Sequence, residues 1–350
     1  MSVVRPFAAG IVRQDRAEQN VSPMFDALPA SERKRSWGID AAAYDGAAAA
    51  LYVYRLRRGD EVHTGVVADV SAEAFGDGRV RGHESVQPDR VAALVEHFAA
   101  AGVRTELVAL LHADGPAVEA AIAETVRTDP VVSFTGPDEW EQTVWRVPDA
   151  AAGVVAAELD GGVHYIADGH HRVAASLRAW ETAGRPPGGG VLCVIYPPDG
   201  LRLLAFHRRV TGPVSSDDLK GLLAGDFDLA DLPRPEDSSG SFAVYVDGHW
   251  HDATFRGKRL PGVAGLDVSV LNTHVLAPLL GSAARPGLEF APALAPVTDL
   301  TVACDDDGGV LFWLRPPTLD QLMEVADRGE VMPPKTTYFD PKPYAGIFLR

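Results

Sequence analysis

One stretch constrains this chain more than any other: "HYIADGHHRVAASL", from His164 to Leu177. A short apolar run is followed at once by Asp168, Gly169, His170, His171 and Arg172, and then by a helix-like segment. A strand ending at Ala167 and a helix starting near Val173 place those polar residues on the connecting turn and the first helical positions. The first turn of a helix carries N–H groups without intrahelical acceptors and the positive end of the helix dipole, so such a turn is predisposed to bind an anion.

The side chains suit that role. Arg172 and the two imidazoles are donors suited to a phosphate or carboxylate, Gly169 lets a ligand approach the backbone, and Asp168 could hold a cation. The same residues would equally serve as a capped helix start with a solvated first turn. A second candidate is "RGHESVQPDR", where Glu84 is a possible general base and His83 could orient it or touch a phosphate. A glutamate ahead of a helix also simply favours the dipole. The third is the tail "PPKTTYFDPKP", in which Lys335 and Lys342 flank Thr336, Thr337 and two aromatic residues on a proline-stiffened segment. It either closes over a ligand or pins the C-terminus as a strand.

At 350 residues the chain is long enough for two lobes, and its change of character sets the expected boundary at residue 212: a mixed α/β lobe over 1–212 and an α+β lobe over 213–350. "ALYVYRL" and "VHTGVVADV" read as a hairpin turning at Arg57 to Asp60. In "PDRVAALVEHFAAAG", Val91, Leu94, Val95 and Phe98 share one helical face, with Pro88 at the start and Gly102 at the stop. A strand "ELVALLH", a helix over about 116–127 and a β pair "TVWRV" with "VVAAEL" lead to the central turn. Beyond it come strands "VLCVIYPP" and "LRLLAFHRRV", a capped helix "SSDDLKGLLAG", an acidic loop "DFDLADLPRPEDSSGS" and a hairpin "FAVYVDGHW" with "HDATFRG". Then follow a helix "LDVSVLNTHVLAPLL", a hairpin "TDLTVACDDDGGVLFWLR" turning at Asp305 to Gly309, and a last helix "TLDQLMEVADRGEV".

Charge narrows the partners. With 32 Lys and Arg against 48 Asp and Glu, the net charge is −16, which repels a nucleic-acid backbone. No apolar run reaches the roughly 20 residues of a membrane helix, and "MSVVRPFAAG" lacks a signal-peptide core, so a soluble cytoplasmic protein is expected. Cys193 and Cys304 sit in apolar, strand-like runs and offer neither a disulfide framework nor a zinc knuckle. The adjacent His170 and His171 share no helix face, there is no His-Glu-x-x-His, and "HWH" at His249 to His251 reads as a hairpin feature. Neither a Walker loop nor a Gly-x-Ser-x-Gly elbow is present.

These motifs together resemble a bacterial and archaeal family, domain of unknown function 1015. "RPFAAG", "LYVYRL", "GHESVQPDR", "YIADGHHRVAASL", "FHRRV" and "DRGEVMPPKTTYFDPKPYAG" follow one another in the family's order, while "SPMFDALPASER" stands where a Pro-Pro-Tyr-Asp stretch is usual, with Met24 and Phe25 departing from it. A more distant similarity links "HESVQPDRVAALVEHFAAAGV" and "YIADGHHRVAASL" to the ParB/sulfiredoxin superfamily, whose free-serine kinases carry a closely similar Asp-Gly-His-His-Arg turn and a His-Glu segment. The resemblance implies a ParB/sulfiredoxin-like nucleotide-binding lobe. It implies Glu84 as catalytic base with His83 and Asp168, a phosphate- and metal-binding turn at Asp168, Gly169, His170, His171 and Arg172, and a tail at Lys335, Thr336, Thr337 and Lys342 that returns to the site.

The reading that follows is a kinase of a small hydroxyl metabolite, L-serine or a related amino acid first, using ATP or ADP with Mg²⁺. Two other classes stay open: a ParB-like nucleotide-binding regulator or DNA-binding protein, against which the acidic balance counts, and a phosphate-releasing hydrolase using the same turn. The sequence says nothing of oligomeric state.

Overall fold

In the computed structural model, which describes residues 2–23, 40–113, 115–281 and 287–350, the first alternating runs fold as the expected hairpin. Tyr52–Arg58 pairs antiparallel with Glu61–Ser71, and Gly59 takes the left-handed conformation the tight turn requires (φ 58°). The chain divides into two units, one of Met1–Arg202 with Phe339–Arg350 and one of Leu203–Tyr338.

Among the described residues of the first unit, nine strands form one mixed sheet. Val80–Arg81, His164–Asp168, Val108–Leu111, Gly190–Tyr196, Glu61–Ser71, Tyr52–Arg58, Glu141–Arg146 and Val132–Thr135 lie side by side in that order, and Val4–Arg5 adds to Glu61–Ser71. Val108–Leu111 is buried at every position, which is why it reads as a continuous apolar run instead of an alternation. Helices Pro116–Thr125 and Asp149–Leu159 send Val118, Ala121, Val155 and Leu159 into a core shared with Val66, Val108, Leu110, Ile166 and Ile195. A fully buried Val, Leu or Ile side chain contributes roughly 1.5–3 kcal/mol. Helices Pro88–Ala101 and His170–Thr182 meet through Val91, Phe98 and Ala175.

Two details of this sheet position the central turn. His164–Asp168 runs parallel to Val80–Arg81 and antiparallel to Val108–Leu111, so "HESVQ" leaves the sheet beside the strand that delivers Asp168. The register skips one residue, from Ile166 opposite Leu110 to Asp168 opposite Ala109, and a bulge of this kind bends a strand and re-aims its last side chains. The C-terminal segment is held in the same unit, where Phe348–Leu349 pairs with Phe7–Val12, itself paired with Tyr44–Ala50. The rings of Phe7, Tyr52 and Phe348 pack with centroids 5.3–5.9 Å apart.

Among the described residues of the second unit, six antiparallel strands form a sheet in the order Phe227–Leu232, His249–Phe255, Phe242–Val246, Val310–Leu314, His207–Thr211 and Gly287–Ala291. Helices Ser216–Asp226, Val297–Asp307 and Leu319–Asp327 accompany it, the last opened by a Thr318–Gln321 capping box.

The mixed α/β class is as expected, but several elements correct the sequence reading. "VVAAEL" belongs to helix Asp149–Leu159, since a short apolar run looks the same in a buried strand and a buried helix. "TDLTVACDDD" is helix Val297–Asp307 ending at left-handed Gly308, not the first arm of a hairpin, so Cys304 is a buried helical thiol. Part of the acidic loop is the edge strand Phe227–Leu232, whose exposed Asp228 and Asp231 face water while its backbone pairs with His249–Phe255. The helix over 266–280 is interrupted by a π-turn at Asn272–Leu276. The division falls at residue 202 and not 212, because His207–Thr211 pairs with Val310–Leu314 and Gly287–Ala291, and the tail from Phe339 joins the first unit. Met24 and Phe25, where the sequence departs from the family pattern, lie outside the described residues, as does the rest of "SPMFDALPASER" beyond Pro23.

Candidate functional site

The central turn begins with a backbone requirement. Strand His164–Asp168 passes through Gly169 at φ 107° directly into helix His170–Thr182, whose first closing bond runs from the Val173 N–H to the Gly169 carbonyl at 2.9 Å. A Cβ on Gly169 would adopt a conformation L side chains avoid and stand 3.0 Å from the Arg172 guanidinium. Glycine is therefore what lets a bulged strand become a helix in one residue.

Asp168 is held from both sides within this unit. Lys342 pairs with one carboxylate oxygen and Arg172 with the other. Their side chains are 16% and 9% exposed against 19% for Asp168, so the contact is largely out of water. Burial works against the charge on Asp168, but Lys342 and Arg172 outweigh it and hold the carboxyl well below the usual carboxylate range. Arg172 also donates to the Leu107 carbonyl and lies 3.8 Å from Glu106. Two cations and two carboxylates thus meet under the helix start.

The two histidines do something the sequence did not suggest. His170 Nε2 accepts the backbone N–H of His83 at 3.2 Å, and His171 Nε2 accepts that of Gln87 at 3.0 Å. With Nε2 of His170 occupied as an acceptor, the ring proton belongs on Nδ1, which faces Glu84 Oε2 at 3.5 Å. The His83 ring stands edge-on to His170, with centroids 4.7 Å apart. Burial pushes His83 down to about 4 and drives His170 well below its ordinary value, with the neighbouring His83 adding to the effect. Both shifts favour the neutral imidazole at neutral pH, in which one ring nitrogen accepts and the other donates. Gly82 makes the approach possible, since a Cβ there would come within 3.0 Å of the His170 ring.

The structure therefore brings His83 and Glu84 against His170, and Lys342 against Asp168 and Arg172. The other tail residues belong to the second unit. Lys335, at φ 56°, gives its carbonyl to Arg208 at 3.0 Å and sets its ammonium 5.0 Å from the Phe206 ring, while Thr336 donates to the Pro333 carbonyl at 2.6 Å. Thr337 opens strand Thr337–Asp340. The donor set does not fit a preformed Mg²⁺ cage: both oxygens of Asp168 are taken by cations, and among the described residues there is no cluster of three His, Cys, Asp or Glu that could hold a metal. His251 of "HWH" lies 3.2 Å from Asp231 across the sheet, again without a third ligand among the described residues. Among the described residues no helix is long and apolar enough to cross a membrane.

The family model for DUF1015, a protein family of unknown function, matches residues 12–269. The chain belongs to this family. No curated protein matches it. Among solved structures, a free serine kinase (E30A mutant) in complex with ADP aligns over 78% of this DUF1015 chain and 87% of its own length, at 14% identity and TM-score 0.41. A conserved hypothetical protein from Pyrococcus furiosus aligns over 79% and 91%, at 14% identity and TM-score 0.38. C-terminally truncated SbnI from Staphylococcus aureus aligns over 78% and 82%, at 12% identity and TM-score 0.42.

Three participants in the DUF1015 site escaped sequence reasoning: Glu106, the Leu107 carbonyl and the Gln87 N–H. Glu106 heads the buried run "ELVALLH", where a carboxylate beside a wholly apolar strand was a signal that a cation would meet it. The two backbone groups carry no sequence signal at all.

Proposed function

We propose that this DUF1015 protein is a nucleotide-dependent phosphotransferase acting on a small hydroxyl metabolite, with L-serine or a related amino acid the first acceptor to test. The observation that carries the reading is that Glu84 stands 3.5 Å from His170, at the first position of the helix that follows Asp168 and Gly169. A carboxylate thereby meets a helix N-terminus flanked by Lys342 and Arg172, which is the combination phosphoryl transfer uses: a base for the attacking hydroxyl and positive potential for the phosphate. The likeness of the Asp-Gly-His-His-Arg turn to that of free-serine kinases supports the same reading.

In the proposed reaction the terminal phosphate of ATP or ADP lies against the helix start, where Gly169 presents no side chain. Lys342, on its flexible stem, exchanges an oxygen of Asp168 for one of the phosphate, and Arg172 stays buried to fix the turn. Glu84 takes the proton of the acceptor hydroxyl as that oxygen bonds to phosphorus. The phosphorus–oxygen bond to the nucleotide breaks, and the shortened nucleotide departs. The two free, buried cysteines suit a reducing cytoplasm.

The test is ³¹P NMR of the purified protein with Mg²⁺ and ATP or ADP, with and without a pool of hydroxyl amino acids. A phosphomonoester signal that requires the added alcohol and disappears in Glu84→Gln supports the kinase. Inorganic phosphate released without an acceptor replaces it with a hydrolase, and intact nucleotide throughout refutes both.

A further inference from the structure

The imidazoles of the central turn raise a question that the kinase reading leaves open. Two adjacent histidines at the start of a helix look like phosphate ligands, yet in each the Nε2 lone pair is directed at a backbone N–H from another segment. A ring nitrogen that accepts an N–H cannot donate to a phosphate oxygen in the same arrangement. We propose that His170 and His171 are positioning residues that pin the segment His83–Gln87 at both its ends, and so fix the Glu84 carboxylate at the helix N-terminus.

The segment needs such a fastening. Of its five residues only His83 is buried, at 1% exposure; Ser85, Val86 and Gln87 are exposed, and Glu84 is 36% exposed. Apolar packing therefore holds the segment at one point, beside the bridge from Val80–Arg81 to the central strand. Polar contacts must set the course of the remainder, and segments with few buried contacts open easily. Consecutive residues on a helix point about 100° apart, so one ring reaches the N–H before Glu84 and the other the N–H three residues after it. Pinning on both sides of the glutamate narrows the positions its carboxylate can take. The remaining ring nitrogen of His170 faces that carboxylate. Asn or Gln can supply a comparable acceptor through the side-chain oxygen, whereas Ala cannot.

The inference rests on the kinase reading only for what Glu84 does, and its test is chosen to be independent of that. Hydrogen exchange of the peptide spanning residues 83–87 is compared in the native protein, His171→Ala, His171→Gln and His170→Ala, with ADP affinity measured alongside by calorimetry. His171 is the safer site because it is only partly buried. In His171→Ala the Gln87 amide should exchange roughly tenfold faster, as expected for loss of one hydrogen bond, while strand Tyr52–Arg58 keeps its native protection. His171→Gln should restore most of the protection. ADP affinity should stay within about twofold, and if phosphoryl transfer is detected, kcat should fall with little change in the nucleotide KM. Unchanged exchange in both alanine variants overturns the proposal, and so does a tenfold or greater loss of ADP affinity, which would make the imidazoles phosphate ligands. A native protein that binds no ADP would sink the kinase reading while the exchange data still decide the fastening.

Discussion

Replacing Asp168 by asparagine isolates the charge at the centre of the turn. The substitution keeps the shape of the side chain but leaves Lys342 and Arg172, 16% and 9% exposed, without their shared carboxylate. Breaking a buried ion pair by removing one partner costs about 3–5 kcal/mol. Because Asp168 and Lys342 keep some water, the lower end, about 3 kcal/mol, is expected at pH 7. The effect has a definite pH sign. The folded-state carboxyl lies below its unfolded value, so the unfolded chain binds the proton more readily, and the stabilisation is complete above about pH 4–5. It is lost as pH falls through the folded-state value. The amide of the Asp168→Asn variant has no such proton to bind, so the gap between native protein and variant should shrink steadily below about pH 4. The assay is urea titration with exchange of the Val108–Leu111 amides as the readout, which reports on the first unit alone. A variant within about 0.5 kcal/mol of native at pH 7, or a gap that widens in acid, would refute the argument that the two cations outweigh the burial of Asp168.

Other outcomes follow from the same geometry. If Glu84 is the base, Glu84→Gln should lower kcat for transfer by roughly 10²- to 10⁴-fold while leaving the thermal midpoint nearly unchanged, which steady-state kinetics with a melting curve would check. Gly169→Ala forces φ 107° on an L residue and crowds Arg172, so it should destabilise by about 1–3 kcal/mol in a denaturant titration. Leu110→Ala, fully buried in the central sheet, should cost about 2–5 kcal/mol by the same measurement. His164 is buried and pushed down to about 4, with its ring stacked 4.3 Å from His112. Its unfolded form therefore binds a proton that the folded form refuses, and stability should fall as pH drops from about 6.5 towards 4. His164→Asn should flatten that part of the stability curve, and an unaltered slope would count against it.

Much of the local structure was legible in the sequence because its causes are local. The hairpin around Gly59 follows from alternation and turn residues, helix Pro88–Ala101 from its apolar spacing between Pro88 and Gly102, and the strand–glycine–helix turn at Gly169 from an abrupt change of pattern. Where the apolar runs are short or the residues are mostly Ala and Val, as in Asp149–Leu159 and Val297–Asp307, the sequence is compatible with strand or helix, and tertiary packing made the choice. The edge strand Phe227–Leu232 shows the converse, since its acidic residues say loop while a neighbouring strand supplies the hydrogen bonds that make it β.

For the site the division is equally physical. The sequence by itself determined which chemical groups are present, a carboxylate, imidazoles and a guanidinium, and that a glycine sets them at the start of a helix. Only the tertiary structure decided what each group faces, because Glu84 and His170 come from segments far apart in the chain, and so do Lys342 and Asp168. Partners across such distances are chosen by sheet order and by the bulge at Ala167. That choice set the Nε2 atoms of His170 and His171 against backbone N–H groups, which no side-chain pattern could have announced because the donors are main-chain atoms.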